Sequence, residues 1–310
     1  MDFSLTPDQT LLRDTGHKLL ERECSSSLVR AHIEDPSVYA QLWRHLSEYT
    51  ALGAGPAADL CLFLEQTGYA AAPGPFLATT GYTALTGDEA ATGTIALLYD
   101  PTHPFVLEAD RVDRIAVVLP GAQLAVIDAA DATARFVATV DFSRRLFTLD
   151  LPQLDARPIA ADDYARWRDR TYASAAAELV GTARRIFDMS LSYAKERRQF
   201  DVPIGSFQAI QHKLADMSLA LERATAAVHY AAMTVDGDDP ERGRACHVAQ
   251  AAAGEAARRI LKDGIQIHGG IGYTWEHDLH LFLRRATADE YLFGTTGWHL
   301  DRLADLLIDP

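Results

Sequence analysis

Apolar residues in this chain are spaced in two different ways, and the change divides it into three parts. Near the start, Leu11, Leu12, Leu19 and Leu20 fall on one helical face. Ser4 or Thr6 can cap that helix, with Pro7 in its first turn. Further helices are expected over Val38–Tyr49 and Asp59–Tyr69, the second closing at Gly68, before Ala70-Ala71-Ala72-Pro73-Gly74-Pro75 breaks the pattern. Phe76–Leu85 is a last short helix of this part. Between residues 91 and 150 the period shortens. Thr94–Leu98, Arg114–Leu119, Gln123–Ile127, Phe136–Val140 and Leu146–Leu149 are expected strands separated by Pro, Gly and Asp. From Ala160 the helical period returns, over Ala173–Met189, Phe207–Val235, Glu241–Ile267, His280–Leu292 and His299–Leu307. The expected fold is mainly α with a small β part. Its units are an N-terminal helical domain over residues 1–90, a reduced middle β domain over 91–156, and a C-terminal four-helix bundle over 157–310.

Two stretches carry candidate chemistry. The first is Tyr193–Met217, YAKERRQFDVPIGSFQAIQHKLADM, which reads as two helices joined by a tight connection bearing Pro203 and Gly205. Arg197 lies at the end of the first helix, where a cation suits the helix dipole and a guanidinium fork can reach outward. Ser206 is the expected N-cap of the second. The other stretch is Gln266–Arg285, QIHGGIGYTWEHDLHLFLRR, where Gly269 and Gly270 let backbone approach a ligand closely. On the residues alone, helix packing with a solvated basic end and a phosphate-binding corner both remain open.

The wording of the two motifs, R-x-Q-F-x-x-P-I-x-x-F-Q-x-x-x-H-x-L-A-D-M and Q-I-H-G-G-I-G-Y-T-x-E, resembles the C-terminal helical domain of acyl-CoA dehydrogenases. The resemblance covers about residues 160–310, and the opening MDFSLTPDQTLLRDT is similar to the family's first helix. Over about 90–155 it is fragmentary, resting on Ala109-Asp110-Arg111 and Asp141-Phe142-Ser143-Arg144-Arg145. The family has a β-barrel there whose first half lines the flavin; no counterpart to that half is found. A Gly-Gly loop of the acyl-binding wall is reduced to Leu52-Gly53-Ala54-Gly55-Pro56.

The family removes an α proton from an acyl-CoA thioester, which needs a desolvated carboxylate as base. The usual position corresponds to Phe293 in Leu292-Phe293-Gly294-Thr295, and the minority position falls near Thr171. Neither side chain can act as a base, so no catalytic residue is assigned. Asp169 and Glu178, on the same helix as Thr171, are the alternatives. In the family, the Arg, the Gln residues and the Gly-Gly stretch cross a dimer interface to hold the neighbour's FAD. By resemblance those roles fall on Arg197, Gln199, Phe200, Gln208, Gln266, Gly269 and Gly270. Asp201 departs from the family's Gly and puts a carboxylate near a pyrophosphate.

Retained donors with a missing base resemble the short, non-catalytic subunits of α2β2 acyl-CoA dehydrogenases that degrade steroid side chains. The resemblance implies FAD shared across the interface, a full-length acyl-CoA dehydrogenase chain as partner, and acyl-CoA bound mainly by that partner. A self-sufficient dehydrogenase using Glu178 or Asp169, and a flavin-free interaction protein, are the competing expectations.

The remaining features narrow this little further. The net charge of −14 argues against nucleic acid or an anionic membrane as partner. Cys24, Cys61 and Cys246 are too scattered for a disulfide framework, which suits a cytoplasmic setting. No signal sequence or membrane span is expected. His277 and His280 around Asp278 lack a clear third metal ligand, so no metal is expected. Glu276 is expected to hold a helix start, His212 and Asp216 to tie two helices, and Trp298-His299 to pack.

Overall fold

The computed structural model describes residues 3–98 and 105–308. Helix α1, Pro7–Glu23, opens with a reciprocal cap: the Gln9 amide donates to Thr6 Oγ1 at 3.2 Å, and the Thr6 amide to Gln9 Oε1 at 3.1 Å. Thr6, not Ser4, is therefore the cap. Helix α2, Ser26–Glu34, capped by Ser25, was not foreseen. The expected helix over Val38–Tyr49 is shorter: α3 is Tyr39–Leu46, and Ser47–Gly53 continues as 3₁₀ turns. Helices α4, Ala57–Tyr69, and α5, Phe76–Thr86, complete the first part.

The β segment forms two small sheets. Strands β1, Gly93–Leu97, and β3, Arg114–Leu119, pair in parallel; β4, Gln123–Asp128, and β7, Arg157–Pro158, extend that sheet antiparallel. The other sheet is antiparallel, with β6, Leu146–Asp150, between β2, Val106–Leu107, and β5, Thr133–Val137. The expected strand at Phe136–Val140 is thus displaced toward the N-terminus, because Phe136 and Val137 pair with Phe147 and Leu146. Tyr99 and Asp100, just beyond β1, lie outside the described residues.

Helix α6, Ala161–Glu196, has 36 residues and an Ala-rich buried centre; at 1.5 Å per residue it is about 54 Å long. It packs with α7, Gln208–Asp236, and α8, Arg242–His268. Helices α9, Leu279–Asp289, and α10, Thr296–Ile308, close the bundle. Ser206 does not cap α7: its hydroxyl donates to the Pro203 carbonyl at 2.7 Å, and Phe207 occupies the cap position. Helices α4 and α6 cross at small residues. A Cβ on Gly68 would lie 1.9 Å from the Glu178 carbonyl oxygen, and one on Gly181 would lie 1.9 Å from that of Glu65. Only glycine permits this approach, and it brings Thr67 within 3.3 Å of the Glu178 carboxylate.

Glu178 lies in a buried charge network that joins all three parts of the chain. Arg144, between β5 and β6, reaches Glu178 Oε2 at 2.5 Å and Asp289 Oδ1 at 2.7 Å. Arg285 reaches Asp141 at 3.2 Å, Ser143 Oγ at 2.9 Å and the Ala72 carbonyl at 2.8 Å. Three carboxylates thus face two guanidinium groups. Burial, which outweighs Arg144 and Arg285, raises Asp289 to about 7. For Glu178, burial also pushes upward, but Arg144 and Arg285 more than offset it and hold the carboxyl below its usual range.

The raised Asp289 value fixes the sign of a pH effect. The folded chain keeps a proton that the unfolded chain releases near pH 4, so this group's contribution is greatest below about pH 4 and is lost as pH rises to about 7. Asp289→Asn, which keeps the proton-bearing shape, is expected to gain stability relative to wild type as pH rises from 5 to 8. Urea midpoints at each pH would check this, and parallel curves for the two proteins would refute it.

Candidate functional site

Helices α6 and α8 run the same way and α7 runs against them, so the end of α6, the start of α7 and the end of α8 meet at one end of the bundle. Tyr193 near the end of α6 stacks on His268 of α8, with ring centroids 4.5 Å apart. Lys213 of α7 reaches Asp263 of α8 at 2.5 Å, and Asp216 pairs with Arg259. Asp216 therefore ties two helices as expected, but through Arg259 and not His212. All seven residues assigned by resemblance come to this end of the bundle, and all seven are exposed.

Their local geometry is distinctive. Arg197 is the C-cap of α6, and among the described residues its guanidinium has no hydrogen bond or carboxylate within ion-pair distance. The side chains of Gln208 and Gln266 likewise have no hydrogen-bond partner there, whereas Gln199 donates to the Arg198 carbonyl at 2.8 Å. Strands β8, Arg198–Gln199, and β9, Val202–Pro203, form a two-residue hairpin whose tip is Phe200-Asp201, at φ 52° and 62°. Left-handed backbone at both tip positions is the geometry such hairpins use, and it is costly for side chains other than glycine or asparagine. A glycine in place of Asp201 would relieve it. Phe200 is 88% exposed at this tip. Gly269 lies at φ 68° and ψ −148°, which glycine alone adopts readily. Added Cβ atoms on Gly269 or Gly270 would meet nothing within 4 Å, so the backbone faces open space. An open glycine backbone at the same end of the bundle as an unpaired guanidinium and two free amides is suited to an anionic, hydrogen-bonding ligand such as a pyrophosphate.

The two positions where a base was sought share one cavity. Thr171 of α6 and Phe293, after α9, line it with Leu60, Leu77, Thr94 and Leu107. Among the described residues its wall includes no carboxylate, and its volume is about 50 Å³, enough for a few waters. Neither alternative base lines it. Glu178 is held in the buried network, and Asp169 is 2% exposed, 3.0 Å from Arg168 and 3.5 Å from Arg242.

The remaining candidates resolve as follows. His299 is fully buried, its Nδ1 2.8 Å from His247 Nδ1 and its ring 4.9 Å from that of Trp298, so this pair packs as expected. Burial lowers His247 to about 4, which keeps it neutral. Asp278 pairs with Arg30 at 2.7 Å. Glu276 is exposed, and the position preceding α9 belongs to Asp278. No group of three or more potential metal-ligating side chains occurs among the described residues. No helix there is long and apolar enough to cross a membrane.

Solved structures place this architecture. The chain superposes on a chain of the ChsE4–ChsE5 complex from Mycobacterium tuberculosis with a TM-score of 0.84 at 21% identity, covering 100% of both chains. The fold is that of acyl-CoA dehydrogenases. Residues 170–308 match the family model for the acyl-CoA dehydrogenase C-terminal domain. The chain is 33% identical to acyl-CoA dehydrogenase IpdE2 of Mycolicibacterium smegmatis over 96% of its own length and 98% of that protein's. It is also 33% identical to acyl-CoA dehydrogenase FadE34 of M. tuberculosis, but while 81% of this chain is covered, only 38% of that protein is. This chain belongs to the acyl-CoA dehydrogenase family.

Proposed function

We propose that this chain is a flavin-completing, non-catalytic subunit of a heteromeric acyl-CoA dehydrogenase. The observation that carries the proposal is a contrast within one molecule. Among the described residues, both base positions, Thr171 and Phe293, line a small cavity without a carboxylate, while Arg197, Gln208 and Gln266 are unpaired at the end of the bundle that also carries the open glycines. Members of the family bind FAD, which accepts hydride from the substrate when bound. In this chain, Arg197 binds the pyrophosphate of FAD held mainly by a partner, and Gln208 and Gln266 orient it with neutral hydrogen bonds. Gln199, Phe200 and the Gly269–Gly270 backbone complete the contact. Asp201 weakens it by placing like charge nearby. The proton abstraction belongs to the partner, as does most of the acyl-CoA contact; the resemblance implies a bulky, steroid-derived acyl group in an α2β2 assembly.

Two comparisons support a partner. A structure with this fold was solved as a complex of two proteins. FadE34 carries a region like this chain in less than half its length, leaving room for another unit of the family in the same polypeptide. The divisions at about residues 90 and 156 serve the same reading, with 157–310 providing the flavin contact and the assembly surface. Mixing this chain with its full-length relative is expected to give a single heteromeric species in sedimentation. Two separate homo-oligomers would favour the flavin-free alternative instead.

A further inference from the structure

A second site lies away from the bundle end, in a cleft between α1, α2 and α4 on one side and α6 and α9 on the other. Its volume is about 290 Å³. Arg185 of α6 forms part of its wall, with its guanidinium carbon 5.1 Å from the Tyr69 ring centre and 5.4 Å from that of Phe282. Two aromatic contacts hold the guanidinium in place without satisfying its N–H donors. Among the described residues its one hydrogen bond is a long one, 3.4 Å to the Tyr69 hydroxyl, and its Nε is buried without a partner. Asp188, one turn further along α6, accepts from the Tyr69 hydroxyl at 3.1 Å and makes no ion pair with Arg185. The contrast with Arg144 and Arg285 is direct, since each of those buried arginines meets carboxylates.

We propose that this cleft binds a small oxyanion, a carboxylate or a phosphate, on Arg185. The guanidinium supplies a planar donor fork already fixed in orientation. His17, Gln66 and Ser26 add polar groups to the wall, with His17 Nδ1 3.2 Å from Gln66 Oε1. A cleft of this size has room for a short dicarboxylate or a phosphate ester. Cys24 also lines it, but burial pushes its thiol up to about 12, so the cleft is a binding site and not a covalent one. Glu21 is the acidic wall residue among those described; it is exposed and works against the anion.

Equilibrium dialysis of the full chain, in its assembled form, with radiolabelled succinate and inorganic phosphate at fixed ionic strength tests this. One saturable site per chain is expected. Arg185→Gln should weaken it about tenfold or more, and Glu21→Gln should strengthen it about two- to threefold. Whichever anion binds more tightly identifies the source, carboxylate or phosphate. No saturable uptake of either anion overturns the proposal, as does equal affinity in Arg185→Gln. If Arg185→Gln does not fold, Glu21→Gln decides alone, and unchanged affinity there is fatal. Uptake lost in Arg197→Ala but kept in Arg185→Gln would place the anion at the bundle end and remove the cleft from consideration.

Discussion

Replacing Arg144 by alanine is expected to destabilise the chain by about 3–5 kcal/mol, because removing one partner from a buried charge network leaves three carboxyl groups facing Arg285 alone. Arg144 is 6% exposed, and its loss would leave Glu178 and Asp289 only the longer contacts to Arg285, at 3.6 and 3.5 Å. Total stabilities of domains run to only about 5–15 kcal/mol, so the variant should be largely unfolded at moderate urea. Arg30→Ala is the control. Its pair with Asp278 has side chains 29% and 39% exposed, and such pairs contribute about 0–1 kcal/mol. Urea denaturation of both variants against wild type separates the two cases. Glu178→Gln adds a second test in the assembled enzyme. If Glu178 is structural, stability falls and any activity lost follows the folded fraction. Activity abolished in a fully stable variant would make Glu178 the relocated base.

The second large effect is expected at Arg197, and there flavin is lost without loss of folding. Arg197 is exposed and its guanidinium has no partner in this chain among the described residues, so Arg197→Ala should leave the melting temperature nearly unchanged. A charge-assisted contact buried on assembly contributes about 2–5 kcal/mol when truncated. At about 1.4 kcal/mol per tenfold, FAD affinity of the assembled enzyme should fall by roughly 1.5 to 3.5 orders of magnitude. Arg197→Lys should recover part of the loss, since an ammonium keeps the charge but not the planar fork. Fluorescence titration of FAD into the assembled apo-enzyme is the measurement. Full affinity in Arg197→Ala would remove the clamp from this residue.

The sequence made some of this legible and hid the rest for physical reasons. Long helices announce themselves by period, so α7 and α8 were found to within a residue at each end, whereas α6, Ala161–Glu196, runs well beyond the expected Ala173–Met189 at both ends. Local chemistry was legible at the start of α1, where Pro7 in the first turn placed the cap at Ser4 or Thr6 and the structure selects Thr6. Ser206 was misread because a serine can cap a helix or close a turn equally well, and here its hydroxyl meets Pro203. Helix α2 escaped because nine residues carry too little periodicity to stand out. The motif residues of the bundle end were found because each lies in a contiguous stretch. The buried network could not be found that way. Arg144 and Arg285 stood in noticed stretches, but which acids they meet is decided by the α4–α6 crossing and by chain segments far apart in sequence. The shared cavity of Thr171 and Phe293 is likewise tertiary, although each had been singled out for what it lacks.

The most direct measurement of the central claim is flavin content and turnover for this chain alone and with its full-length relative. The account predicts a colourless protein alone, without acyl-CoA dehydrogenase activity, and bound FAD with turnover when the two chains are combined. Stoichiometric FAD on the isolated chain, with dehydrogenation of any acyl-CoA, would contradict it.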